Sequence, residues 1–313
     1  MDLTHLHLLL NHFPTVGFII GIAILALGLI AKSDEMKRLG LVLLLGIALL
    51  TIMVYVTGNA AESAIGNTPG VSKALMEAHE GAALRAFMLM ELVGGFSWLT
   101  LWQYRRTSRI PIGNSGLILV LSIATFGLMV DASNIGGEIR HPEIRDDQAN
   151  ALVTTPPAER AFARRIGAFV VSAEFVWPTC ETLHFIGLCL LCGIALVVDL
   201  RILGMMKDLP FTALHRLLPW GVLGFGLNLV TGFMFFIADP SQYTNGVLFF
   251  WKMAFVILAG INVIYFTTFD DAWLLKAGDD APLSAKVVAA TAIALVAGII
   301  FCGRMLPFLG NSF

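Results

Sequence analysis

A chain of 313 residues that is 57 % hydrophobic and only 13 % charged, with a mean hydropathy of +0.81, is not an ordinary water-soluble domain, which carries about a quarter charged residues. It reads as an all-α polytopic membrane protein. The net charge of −2 is uninformative, no basic tract points to nucleic acid as a partner, and four cysteines set in apolar runs (Cys180, Cys189, Cys192, Cys302) do not read as a disulfide framework.

The opening "MDLTHLHLLLNHF" has no basic leading segment and no small-residue cleavage site, so no removable signal peptide is expected. Windows of about 20 apolar residues then predict eight spans, at 13–31, 39–57, 82–103, 115–132, 179–200, 213–237, 247–268 and 284–306. They fall into two four-helix membrane modules, 1–132 and 168–313, joined by a polar linker over 133–167 that contains the breakers "GG" and "PP". The apolar lead-in from Arg165 to "WP" reads as interfacial, or else as a lengthening of the fifth helix.

With an even number of spans both termini share one side. The connections on the opposite side hold eleven of the twenty Lys and Arg, among them Lys37, Arg105, Arg201 and Lys276. That bias places them in the cytoplasm and makes the termini external, as in a multi-pass protein of a bacterial inner membrane. The 133–167 segment is then external, either a linker or a dock for a soluble partner.

Ionisable groups inside spans are costly and mark function by default. His12 opens the first span, His79 just precedes the third, and His184 lies about 8 Å into the fifth. All three are on the external side. His215 lies about 24 Å beyond His184, so the two do not share a ligand. Two imidazoles from facing helices are what a low-spin heme iron needs, and His12 with His79 meets that need. Arg85 is placed to neutralise propionates. The alternative is helix-end histidines bonded to loop backbone. His5 and His7 with His12 also offer a small external metal site. In the second half, Glu181 lies one turn from His184 and is positioned to orient it. Lys252 either snorkels or serves a propionate or quinone oxygen, and Arg304 ends the eighth span on the same side. Glu91, Glu174 and Asn228 serve a proton path or interhelical hydrogen bonds.

"HLLLNHFPTVGFIIGIAILALG", with "YVTGNAAES" and "AHEGAALRAFML", resembles an uncharacterised bacterial four-helix membrane family over about residues 5–103. "TLHFIGLCLLCGIALVVDLRILG", with "LPFTALHRLLPWGVLGFGLNLVTGFMFF" and "FFWKMAFVILAGINVIYF", resembles a second such family over about 180–306. More distantly, its L-H-x-x-G helix and Lys-bearing third helix are similar to the CopD copper-resistance and HemJ protoporphyrinogen-oxidase membrane proteins. The HemJ-like resemblance implies heme b at His184 with Lys252 in support. The tail "VVDLRILG" departs from the HemJ pattern.

Together these readings predict a b-type cytochrome-like electron-transfer subunit with one or two hemes b near the external face. His12, His79 and His184 are the metal-ligating candidates, and Arg85, Lys252 and Arg304 the supporting cations. Expected partners are the lipid bilayer, a periplasmic redox protein or enzyme subunit, and quinone. Rival readings are a permease for copper or another metal and a structural anchor for a peripheral enzyme.

Overall fold

The computed structural model describes residues 3–66, 68–69, 71–145, 150, 162–244, 246–268 and 272–309. Among them all regular structure is helical, and eight helical stretches are long and apolar enough to cross a membrane. The chain is a multi-pass, all-α membrane protein. It divides into two compact units, residues 1–163 and 164–313.

In the first unit α1 (Leu3–Leu10), α2 (His12–Ile30), α3 (Asp34–Ile65), α4 (Lys73–Thr107) and α5 (Ile112–Arg140) follow one another. Successive long helices pair, α2 also packs on α5, and α1 lies against α3. Ser33 and Ser72 start α3 and α4 by accepting hydrogen bonds from the Met36 and Leu75 amides at 3.3 and 3.4 Å, which satisfies donors that a helix start leaves open. Phe18, Leu25, Leu41, Leu44 and Leu84 are fully buried between the helices. Val120 and Ile123 face outward, as lipid contact requires.

Helices outrun the hydropathy windows because polar and small residues continue them. The segment "TGNAAESAI" extends α3 to Ile65, and α5 runs to Arg140 rather than ending at 132. Arg145 caps α5, donating from Nε to the Glu138 carbonyl at 2.8 Å and from Nη2 to that of Ile139 at 3.2 Å. The linker predicted from 133 therefore begins later, and most of the rest of it lies outside the described residues. The lead-in before "WP" is a separate helix, α6 (Phe162–Ser172), broken from the next at Ala173–Phe175.

In the second unit α7 (Val176–Ile202), α8 (Phe211–Leu214), α9 (Leu218–Ala238), α10 (Pro240–Thr244), α11 (Val247–Thr268) and α12 (Leu283–Leu309) follow. The principal pairings are α7 with α9, α11 with α12 and α12 with α7. Lipid gives no hydrophobic drive to helix pairing, so close backbone approach has to hold it. At the α7–α9 crossing a Cβ on Gly187 would stand 2.9 Å from the Gly224 carbonyl oxygen, and one on Gly224 2.8 Å from that of Gly187. Neither oxygen can move without its helix. Gly224→Val is expected to lower stability in detergent by about 1–3 kcal/mol, read from the midpoint of thermal unfolding followed by circular dichroism. A variant as stable as the parent would show that the crossing does not depend on this contact.

Away from that crossing, the connections 203–210 and 275–282 close over Arg201, whose side chain is fully buried. Its Nε donates to the Leu209 carbonyl at 2.6 Å, and Nη2 donates to those of Lys276 at 2.9 Å and Asp279 at 3.2 Å. The Phe211 ring lies under the guanidinium at 5.8 Å, and Phe211 itself belongs to a buried cluster with Trp273 and Ala285. Outside this knot, Asp280 pairs with Lys286 at 2.9 Å and Lys207 at 3.2 Å, and these ammoniums hold its carboxyl below the ordinary value of 3.8. A depressed carboxylate supports the fold above its unfolded pKa and loses that support as pH falls through the folded one. The Asp280 carboxyl carbon is expected to titrate by NMR below 3.8, and to return toward it in Lys286→Met.

Candidate functional site

In the first unit the structure gathers polar groups of α1, α3, α4 and α5 around two imidazoles. His7, half-buried on α1, turns onto α3, where its Nδ1 donates to the Val54 carbonyl at 3.0 Å and lies 3.3 Å from the Thr57 hydroxyl. His79, half-buried on α4, donates from Nδ1 to the Ala132 carbonyl of α5 at 2.8 Å. A carbonyl can only accept, so Nδ1 carries the proton in both rings. In the neutral imidazole Nε2 then holds a lone pair.

Glycine makes room for both. A Cβ on Gly58 would stand 3.0 Å from His7 Cε1, and one on Gly136 3.0 Å from His79 Cε1. Tyr55, stacked on Phe87 at 5.0 Å, hydrogen-bonds the Asn59 side chain and feels the charges of Glu80 and Glu62. The site is thus a pair of oriented imidazoles in a polar end of an otherwise apolar bundle.

Among the described residues, the first-unit histidines whose rings bond to another helix are His7 and His79. His12, the first residue of α2, is exposed and bonds through Nδ1 only to the Leu8 carbonyl at 3.0 Å, within its own segment. Asn11, between α1 and α2, keeps helical dihedrals and donates its amide to the His7 carbonyl at 2.9 Å, so α1 and α2 run on as one apolar stretch. His5 is exposed. Among the described residues no group of three His, Cys, Asp or Glu side chains could hold a metal ion, so a site of His5, His7 and His12 is not formed. Arg85 is exposed and loosely paired with Asp131 at 3.7 Å. Glu91 buries a carboxylate oxygen with no hydrogen-bond partner.

In the second unit His184 is half-buried on α7 and its Nδ1 lies 2.8 Å from the Thr231 hydroxyl of α9. That hydroxyl spends its single proton on the Leu227 carbonyl at 2.6 Å. It therefore accepts from His184 Nδ1–H, and Nε2 again holds the lone pair. Phe235 stands edge-on to the ring at 5.8 Å. Glu181 does not orient His184; it is exposed and accepts from Trp177 Nε1 at 3.1 Å. Both neighbours lie one turn from Glu181, and the indole N–H is a donor that needs an acceptor. Lys252 on α11 reaches toward α12, its Nζ 3.6 Å from where a Cβ of Gly303 would stand. Arg304 is exposed, and Glu174 lies exposed in the break before α7. Asn228 donates to the Gly224 carbonyl at 2.9 Å and leaves its own oxygen buried without a partner.

Compared with known proteins, the chain matches no family model, no curated protein and no solved structure.

Proposed function

We propose that this chain is a b-type cytochrome-like electron-transfer subunit of a bacterial inner membrane, holding heme b in its first unit. The observation that carries the reading is the pair His7 and His79. They are neutral-capable imidazoles from two helices of one unit, each with Nδ1 tied to a helix carbonyl and Nε2 left as a ligand. Orientation of the ring by a carbonyl at its second nitrogen is the usual arrangement behind a metal-bound histidine. The donor set therefore fits axial ligation of heme iron.

Heme supplies the one-electron chemistry when bound. The chain's part is to hold the ligands, keep water out and set the charge around them. Val54 and Ala132 fix the rings, Gly58 and Gly136 leave space beside them, and the apolar interior of the bundle lowers the local dielectric. Arg85, only loosely engaged with Asp131, is the cation available to a propionate. The reading assigns Lys252 to a quinone oxygen and places a periplasmic redox protein as the other partner, with both termini external on the loop-charge bias. His184 is the one histidine within the second unit's spans among the described residues, so one heme per chain is expected.

The test is a dithionite-reduced minus oxidised spectrum of the detergent-purified chain from heme-replete cells, quantified as the pyridine hemochrome. A b-type α band at one heme per chain is expected. Two hemes would bring His184 in as a ligand. A featureless spectrum would end the cytochrome reading and favour a metal permease or an anchor.

A further inference from the structure

Two connections meet at the end of the first unit remote from His7 and His79, the turn from α2 to α3 and the turn from α4 to α5. One buried side chain ties them. Lys37, 4 % exposed, pairs with Asp34 at 2.6 Å and donates from Nζ to the Ile110 carbonyl at 3.1 Å. Thr107 Oγ1 donates to the Arg109 carbonyl at 2.9 Å, which orders the second turn just before that contact. With Asp34 engaged by Lys37, the sequence of the two turns and the helix ends beside them sets Lys32, Arg38, Arg105, Arg106 and Arg109 against Glu35. The connections 203–210 and 275–282 of the second unit carry no such excess. They hold Lys207 and Lys276 against Asp208, Asp279 and Asp280, and Asp280 draws in both Lys207 and Lys286.

We propose that this end of the first unit binds an anionic phospholipid, its phosphate between Lys32 and Arg109 and its acyl chains along the α2–α5 groove. The groove is set by the fold, because α2 ends and α5 begins here and the two helices pack on each other. Lys32 follows α2, Arg109 precedes α5, and both are exposed, so a cation stands at either lip. Ile30, 79 % exposed, and Ile112, 69 % exposed, lie just inward of those cations, where chains hanging from a headgroup would run. Apolar side chains so placed require hydrocarbon, and the charges above them require an anion. A phosphodiester on two acyl chains supplies both, and basic clusters at helix ends recognise such headgroups. Arg38, held over the Tyr104 ring at 5.8 Å, adds to the field from α3. The site does not depend on heme at the opposite end of the unit.

The experiment is native mass spectrometry of the full-length, detergent-purified chain, titrated with phosphatidylglycerol or with phosphatidylcholine of the same acyl chains. Preferential retention of phosphatidylglycerol is expected, weakening as ionic strength rises. Lys32→Asn/Arg109→Gln is expected to weaken phosphatidylglycerol about thirtyfold, about fivefold for each cation. Asparagine suits the left-handed backbone of Lys32, whose φ is 52°. Lys207→Gln/Lys276→Gln removes the same charge from the second unit and is expected to bind as the parent does. Helical circular dichroism and a monodisperse elution profile establish that each variant is folded. The proposal is overturned if the two lipids bind alike, if Lys32→Asn/Arg109→Gln binds like the parent, or if the second-unit variant loses as much. It is equally overturned if inorganic phosphate displaces the lipid at equal concentration, which would mark an anion site with no use for acyl chains.

Discussion

His79→Ala and His7→Ala are each expected to abolish the b-type α band, while His12→Ala keeps it. The reason is coordinative. If both axial positions are filled by these two rings, loss of either leaves the iron with one protein ligand and the low-spin spectrum collapses. His12, exposed and bonded only to Leu8, has no such consequence. A graded effect is expected at Gly136, where an added methyl would press on Cε1 and Nδ1 of His79 at 3.0 and 3.1 Å. Disturbing the groups that orient a ligand commonly weakens metal affinity by about 10–100-fold, so Gly136→Ala should lower heme occupancy without changing band shape. If His7→Ala and His79→Ala both retained the full band, the pairing would be wrong. Loss of the band in His12→Ala and not in His7→Ala would return the ligand to the start of α2.

Arg201→Ala is expected to destabilise the second unit by about 3–5 kcal/mol, from the lost hydrogen bonds of a charged donor and the cavity that a large-to-small change leaves in a packed interior. Three carbonyls from two separate connections accept from this guanidinium, and hydrogen bonds to a charged group are each worth about 1.5–3 kcal/mol. Truncation removes the charged donor from all three, leaving the Lys276 carbonyl only its bond from the Asp279 amide at 3.2 Å, and empties a fully buried volume against Phe211. Arg201→Lys is expected to recover less than half of the loss, because a single ammonium does not reproduce the planar fork that reaches Leu209, Lys276 and Asp279 together. Denaturant-dependent unfolding of the detergent-solubilised protein measures both. A loss below about 1 kcal/mol for the alanine variant would mean that aromatic packing alone holds the two connections.

The eight spans were legible because hydrocarbon demands long apolar runs, and that demand is written residue by residue. What hydropathy does not carry is where a helix ends once it leaves the apolar zone, so α3 and α5 exceed their windows. His7 entered the sequence reading only in an external metal site with His5 and His12, and not as a heme ligand, for the same reason. It lies before the first apolar window, and only the leucine spacing of "HLHLLL" hinted that it belonged to a helix with a face to bury. The role of Arg85 as a paired surface cation depends on Asp131, 46 positions away, and the partner of His184 is Thr231, 47 positions away. Glu181 was read as the partner of His184 one turn ahead, but it accepts from Trp177 one turn behind. His184 Nδ1 bonds Thr231 instead, a partner that resides in α9 and not in α7.

The helices also differ in length in a way that bears on the lipid around them. α4 has 35 residues, about 52 Å at 1.5 Å per residue, whereas α9 and α11 have 21 and 22, about 32 and 33 Å. A hydrocarbon layer is about 30 Å thick. The short pair thus matches it with almost no reserve, and the long helix meets a thicker bilayer simply by standing more upright. α2 of the first unit, with 19 residues, is shorter still, but α1 continues it in one apolar stretch. Thickening the membrane, for instance with longer acyl chains, therefore strains α9 and α11 before the longer helices beside them, and with α9 the seam that joins it to α7.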